Sequence, residues 1–449
     1  MLEFRLSHVI EGAPGADGMP TPFTDHPLRG RVLQELHARP FAPVGVPGRL
    51  VHLAFMAADG EAVAAAEALG RFCEGLGLPP PAAEARHHRV ELSGLRLRWE
   101  RHSEFLTYTW EQAQGAEQAE LPAGEGRPAR PEAILSAMRS LQTPGELIAA
   151  ADVIVRRGEL EAEALRAFFG TDQLAVSLFD DGTAAAATDF RPDAEGFVRI
   201  VAAGAALDPA QAGALVQRLL EVETYRTLAL LGLPLAQSLG PALNGVERRL
   251  TGLLQDMAQE PDFNASREAL NALTALAAEL ERDAAASLFR FSATRAYFEL
   301  VQLRIEALRE APVPYAATWS GFLGRRLNPA IRTCAATEQR QDHLSRKLSR
   351  AAQLLRTRVD VELEGQNRDS LALMSDRLDL QLRLQRTVEG LSVAAITYYV
   401  ASLIHLVLEG AHEEGLPVNP MAGTALSVPI VLALVALLVH RIRRRHTAK

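Results

Sequence analysis

Three sets of side chains in this 449-residue chain have types and spacing that could do chemistry. Glu100, His102 and Glu104 lie at i, i+2 and i+4. Along one unbroken strand they would share a face, with Arg98 beside them, because strand side chains alternate with a period of two. Two carboxylates flanking an imidazole could hold a divalent cation, the one cofactor the sequence suggests, or poise the histidine for proton transfer. The competing account is a solvated face of an antiparallel sheet laced with ion pairs, and a turn at Ser103 would break the arrangement. His26, His37 and Arg39 form a second set in HPLRGRVLQELHARPF (26–41). Leu28, Val32, Leu33 and Leu36 follow helical spacing up to Pro40, so one short helix would carry two imidazoles and a guanidinium, types suited to a phosphate or another anion. That helix could instead only dock on a sheet.

The third set, Tyr398, Ser402, His405 and Glu409, recurs at spacings of three and four and so lines one helical stripe. The runs 391–408 and 421–439 contain no Asp, Glu, Lys or Arg, and each is long enough to cross a hydrocarbon core of ~30 Å. They read as a transmembrane helical hairpin. Its connecting segment carries Glu409, Glu413 and Glu414 but no Lys or Arg, whereas Arg383 and Arg386 precede the first run and Arg441, Arg443, Arg444 and Arg445 follow the second. By the positive-inside rule both termini lie in the cytoplasm, in a multi-pass protein of the inner membrane with the lipid bilayer as its first partner. Within the hairpin the stripe serves either helix packing, through hydroxyls bonded across it, or the wall of a pore.

The rest of the chain must position the first two sets. Residues 1–25 read as a mobile tail, 26–205 as a cytosolic α+β domain, 206–390 as a long-helix stalk, 391–439 as the hairpin and 440–449 as a basic cytoplasmic tail. In the α+β domain, strands are expected at 49–57, 86–92, 95–101 and 104–110, with a helix at 61–76. A similar order follows: a helix at 132–141, a strand at 146–155, a helix at 159–169, and strands at 173–179, 183–190 and 196–203. Strand, helix and three strands would thus occur twice, unless the domain is one sheet with helices on a single face. Asp208 and Pro209 open a helical region as N-cap and first-turn proline. Gly232 and Pro234, then Gly240 and Pro241, are expected to interrupt it. The 266–310 pattern would make a helix roughly 65 Å long. A linker at 311–329 reverses the chain, and 330–390 feeds into the first span. Helices of that length are a stalk or a coiled coil, which assembles copies into a homo-oligomer. The basic face at 340–358 is either solvated, as most such faces are, or set against lipid headgroups or RNA.

Composition narrows the function. A net charge of -8 argues against a general nucleic-acid binder. Two cysteines, Cys73 and Cys334, without metal-ligand spacing, fit reduced thiols in a cytosol. Met1–Ile10 holds Glu3 and Arg5, which fits no secretory signal. There is no Gly-rich phosphate loop, nucleophile elbow or metalloprotease helix, so the sequence favours a membrane-anchored binding, scaffolding or sensing protein over an enzyme.

The strings HPLRGRVLQELHARPF (26–41), RWERHSEF (98–105), FLGRRLNPAIRTC (322–334) and VEGLSVAAITYY (388–399) together resemble a bacterial family of predicted membrane-anchored proteins catalogued as a domain of unknown function. The resemblance spans nearly the whole chain and implies a membrane anchor and no particular reaction. In architecture alone, a cytosolic domain, long helices and two C-terminal spans are similar to the CorA-type divalent-cation channels, which would imply an oligomeric cation pathway. That family carries Gly-Met-Asn at the outer end of its first span; here 410–420 reads GAHEEGLPVNP, with only Gly415 and Asn419 loosely in place.

Overall fold

The mostly apolar run that begins at Gly48 becomes one of the central strands of a nine-stranded sheet. The computed structural model describes residues 26, 27, 29, 33, 41–57, 59–82, 85–113, 121, 129–141, 143–259, 263–414, 416, 417 and 419–446. The expected tail 1–25 and most of the helix at 26–41, with His37 and Arg39, lie outside the described residues. Two compact units emerge, Met1–Arg249 with Ala278–Arg346, and Leu250–Ala277 with Lys347–Lys449.

The first unit holds the strands β1 (Gly48–Met56), β2 (His87–Leu92), β3 (Leu95–Arg101), β4 (Phe105–Ala113), β5 (Glu146–Arg156), β6 (Ala175–Phe179), β7 (Ala184–Pro192), β8 (Val198–Ala203) and β9 (Ala311–Pro312). Their order is β2-β3-β4-β1-β5-β8-β7-β6-β9. About the central antiparallel pair β1–β5, the order on one side mirrors that on the other, each half running strand, helix and three-strand meander. The halves differ in polarity. β1 pairs β4 antiparallel, while β5 pairs β8 parallel, because the short helix after β5 acts as a crossover that returns the chain in the original direction. The repetition is thus one of order and not of strand direction.

Helices cover both faces, so the alternative of one sheet with helices on a single face does not hold. The helices α1 (Asp59–Gly75) and α2 (Glu132–Ser140) meet Val51, Leu53, Leu97, Trp99, Tyr108 and Trp110. On the same face α3 (Ala162–Phe169) sets Leu165, Phe168 and Phe169 on Ile154, Val176 and Val201. The opposite face, with Leu50, Ala54, Val153 and Ile200, is covered by α4 (Pro209–Leu230) through Leu215, Val216, Leu219 and Val222. Period-two alternation sends odd and even residues of β1 to different layers, so both sets must be apolar when both sides are covered. Asp208 caps α4 in a capping box with Gln211, as its sequence requires. A Cβ on Gly213 would lie 2.0 Å from the carbonyl oxygen of Ala42, so only glycine lets the strap 41–45 lie on this helix.

Two expected breaks are absent. The helix α5 (Gly232–Gln259) runs through Pro241, and α7 (Trp319–Glu413) begins well inside the expected linker and runs through Pro329. A proline removes one backbone bond and strains the turn before it, which flanking turns can carry when packing holds them in place; Ala236, Leu243 and Val246 on either side of Pro241 are buried. Between α6 (Phe263–Ala307) and α7, the reversal uses β9, paired to the β6 edge, and Trp319, whose backbone N–H donates to Ser177 Oγ and whose indole N–H donates to the Ala186 carbonyl. Trp319 is fully buried against Phe179 and Phe190.

In the second unit Leu250, Leu273, Leu276, Leu348, Leu355 and Val359 are buried. Beyond Val359 the side chains of α7 emerge into the open. Two helical segments, within α7 and in α8 (Pro420–His446), are long and apolar enough to cross a membrane.

Candidate functional site

The β3–β4 hairpin decides the fate of the first candidate set. β3 ends at Arg101 and β4 begins at Phe105, with the His102 N–H donating to the Phe105 carbonyl at 2.9 Å, so residues 102–104 are the turn. The single strand that would align Glu100, His102 and Glu104 is absent. Glu100 lies 3.9 Å from Arg98 Nε and accepts from Thr107 Oγ1. His102 stacks on Phe105 at 4.0 Å between ring centres. Glu104 accepts from the two terminal guanidinium nitrogens of Arg290, at 2.9 and 3.3 Å, which ties the turn to α6. Burial, then the nearby Glu104, pushes the Tyr297 hydroxyl above its ordinary range in the same corner. Among the described residues no three His, Cys, Asp or Glu side chains gather into a group able to hold a metal. Of the second set only His26 is described; it is exposed.

The third set lies in the hairpin of the second unit. His405 Nδ1 is 2.9 Å from Thr424 Oγ1 on α8, and Ala401 and Val431 are among the few buried residues there. A Cβ on Gly423 would come within 2.7 Å of Leu408 Cδ1, so a small residue sets the approach of the two helices. Tyr398 points outward, 69% exposed.

The side chains that do converge were not singled out by spacing. The register of the β2–β3 hairpin sets Arg89 opposite Arg98 and Glu91 opposite Arg96; β3–β4 then sets Arg98 opposite Thr109 and Arg96 opposite Glu111. With Leu50 and Thr109 from the sheet, Val216 and Gln217 from α4, and the strap 42–44, they line a cleft of about 190 Å³. Arg96 is held at the rim, donating to the Pro43 carbonyl at 3.1 Å and pairing with Glu111, which also accepts the Gly45 N–H at 2.9 Å. Burial pushes the Glu111 carboxyl up, opposed by those two partners. Arg98 lies deeper and donates to Gln217 Oε1 at 3.3 Å, and its buried Nε has no hydrogen-bond acceptor. Gln217 donates to Glu221, which pairs with Arg304 of α6. Behind this layer His52 is clasped between Thr109 Oγ1 at 2.8 Å and Thr224 Oγ1 at 3.1 Å. Burial, and then the charge of Arg98, push its imidazole down to about 3, so it is neutral at pH 7 and bonds as a neutral ring. The cleft can present planar guanidinium donors to oxygen acceptors beside an apolar wall.

On the other side of the sheet is a buried charge network of a different kind. Asp152 accepts from Nε and Nη2 of Arg49 at 2.9 and 2.7 Å, and Arg130 Nε lies 3.3 Å from it as an ion pair without a hydrogen bond. Arg130 also pairs with Asp193 and Glu195 and lies over the Phe197 ring at 3.9 Å. These groups pair with one another, which is the pattern of a structural tie.

The chain belongs to the family described as "Protein of unknown function (DUF3422)", whose model matches residues 24–446. No curated protein and no solved structure matches the chain.

Proposed function

We propose that this protein is a membrane-anchored binding and assembly module: a cytosolic sheet domain that takes a ligand, long helices that join copies, and a two-span anchor in the inner membrane with both termini in the cytoplasm. One observation carries the reading. The two apolar helical segments leave their large side chains open, among them Leu391, Val407, Leu426 and Leu437, each at least 65% exposed. A row of exposed leucine over that length is unfavourable in water, at roughly 1.5–3 kcal/mol per side chain left unburied, and calls for lipid. The acid-only loop and the arginines that flank the hairpin supply the orientation. The His405–Thr424 bond supports an anchor held by helix packing in preference to a cation pathway.

Assembly has its own support. From Leu371 to Val388 the apolar residues of α7 fall in two seams, Leu371, Met374, Leu378 and Leu382, and Leu373, Leu380, Leu384 and Val388, all more than half exposed. At 3.6 residues per turn the seams are roughly 130° apart around the helix. The second continues the row of Leu348, Leu355 and Val359 that is buried within one chain. A helix with two seams meets two neighbours, which fits a closed coiled-coil ring of more than two copies.

Topology is tested by labelling from the periplasmic side. A cysteine introduced at Gly415 is expected to react and one at Ala448 to stay protected until the membrane is opened. Equal labelling of both, or recovery of the protein in the soluble fraction, refutes the anchor.

A further inference from the structure

We propose that the second seam of α7 runs on without a break through the membrane segment, and that this one stripe packs parallel and in register against the same stripe of a second copy of the chain. Tyr398, Ser402, His405 and Glu409 then lie between copies and not against lipid. The interface rests on the assembly and anchor readings above for the statements that copies join and that the hairpin lies in a bilayer.

Phase around the helix is the first observation. From Leu384 the seam advances in alternating steps of four and three through Val388, Leu391 and Ala395, and its next four steps are Tyr398, Ser402, His405 and Glu409. That is heptad spacing, and at 3.6 residues per turn all eight positions stay within roughly 100° of arc. The first seam ends where the second continues, since its next positions are Gln385 and Glu389. Between Leu384 and His405 the stripe holds no Asp, Glu, Lys or Arg, so two identical stripes meet without opposing like charges.

Hydrogen bonding is the second. Other hydroxyls of the hairpin are satisfied by their own helix: Thr397 donates to the Val393 carbonyl, Thr424 to the Pro420 carbonyl and Ser427 to the Thr424 carbonyl. Among the described residues the Tyr398 and Ser402 hydroxyls have no hydrogen bond, and His405 bonds only through Nδ1. Tyr398 lies roughly 10 Å and His405 roughly 20 Å beyond Leu391 along the helix. Lipid offers such groups no partner at that depth, whereas a neighbouring helix does.

The occupant follows from where the stripe runs. Leu380 and Leu384 stand among Arg377, Arg383 and Arg386, on the watery side of the membrane run, so lipid does not cover that half and a soluble partner does not cover the other. The covering surface must pass from water into lipid in the same heptad phase. A second copy has that surface by construction, and a shared anchor gives both copies one orientation, so the stripes meet parallel. Leucine then faces leucine in water, and hydroxyls and imidazoles face one another in the membrane, where Ser402 and His405 fix the register as a polar core residue does in a coiled coil.

The test is oxidative disulfide cross-linking of the full chain in native membranes, with the wild type, whose Cys73 and Cys334 are both buried, as the blank. Leu384→Cys, Leu391→Cys, Ala395→Cys and Ser402→Cys sample the stripe; Ile396→Cys, Leu403→Cys and Val407→Cys sample the opposite side of α7, which is also exposed in one chain. A product of twice the chain mass is expected at the four stripe positions and little at the other three. In the Leu384→Cys background, Ala395→Trp should weaken association about tenfold, the cost of bulk forced into a packed interface, and Ile396→Trp should leave it unchanged; this pair keeps the test sound if a cysteine variant fails to insert. Cross-linking at Leu384→Cys but at none of the three deeper stripe positions leaves assembly standing and overturns the membrane interface. Equal yields on both sides of α7, an unchanged yield in Ala395→Trp, or a product heavier than two chains also overturns it. No product at any position from protein that sediments with the membrane overturns assembly as well, and recovery in the soluble fraction reads the anchor separately.

Discussion

The sheet domain and the second unit both draw on leucine and valine and use them in opposite ways. In the sheet domain β1, β5, β7 and β8 are buried over nearly their whole length, and Trp99, Trp110 and Trp319 are all fully enclosed. In the second unit, α7 beyond Val359 and α8 leave most of their leucines open. The first region finishes its hydrophobic burial within one chain. The second leaves an apolar surface open along these helices. The contrast separates a region that buries its apolar side chains from one that presents them.

The comparison breaks first, and most heavily, at Asp152. Replacing it with Ala leaves Arg49 and Arg130 buried without their shared carboxylate, and the sheet domain is expected to lose about 3–5 kcal/mol. Tryptophan fluorescence during urea unfolding reads this domain alone, since all three tryptophans lie in it; an unchanged midpoint would show that the network contributes nothing. The converse change is Leu373→Ser with Leu380→Ser in the open seam. The tryptophan transition should stay where it is while the mass in detergent falls toward the single chain, each leucine contributing about 2 kcal/mol to association. A loss of sheet stability in this variant would blur the two regions into one.

A pH-dependent effect follows from His52. Its imidazole is pushed down from 6.5 to about 3 in the folded domain, so between those values the unfolded chain binds more protons than the folded one. The contribution is complete above pH 6.5 and is lost as pH falls through that window, with a slope of up to about 1.4 kcal/mol per pH unit. His52→Gln should flatten the acid limb of the tryptophan-detected midpoint between pH 6.5 and 4. An identical acid limb in the variant would place the titration elsewhere.

Most elements of the sheet domain were legible in the sequence because glycine, proline and alternation mark strand ends locally: β3 occupies the very residues expected, and β1, β2 and β5 begin or end within about two. What was illegible is non-local. Nothing in the chain around Ala175 announces that β6 will run parallel to β5, or that Ala311 and Pro312 will return as an edge strand. The apolar odd and even positions of β1 fit a strand covered on both sides, yet the covering helix α4 is identified only once it is seen packed. The candidate site shows the same division. Glu100, His102 and Glu104 look related because they are close in sequence, and a three-residue turn separates them. Arg89 and Arg98 look like members of a solvated charged face, and only the hairpin register brings them together. Pro241 was misread because the local rule against proline in a helix omits the packing that holds the turns on either side.

The seating of Trp319 also sets an order of events during synthesis. Ser177 on β6 waits for a residue 142 positions later to receive its backbone bond, which at 5–20 residues per second is a delay of roughly 7–30 s. Throughout that interval β6 is a bare sheet edge with Phe179 and Phe190 short of the indole that covers them, the kind of surface on which nascent chains stick to one another. Trp319 precedes the first long apolar run by some seventy residues, so a ribosome that pauses between the two would give the sheet time to close before that run is made.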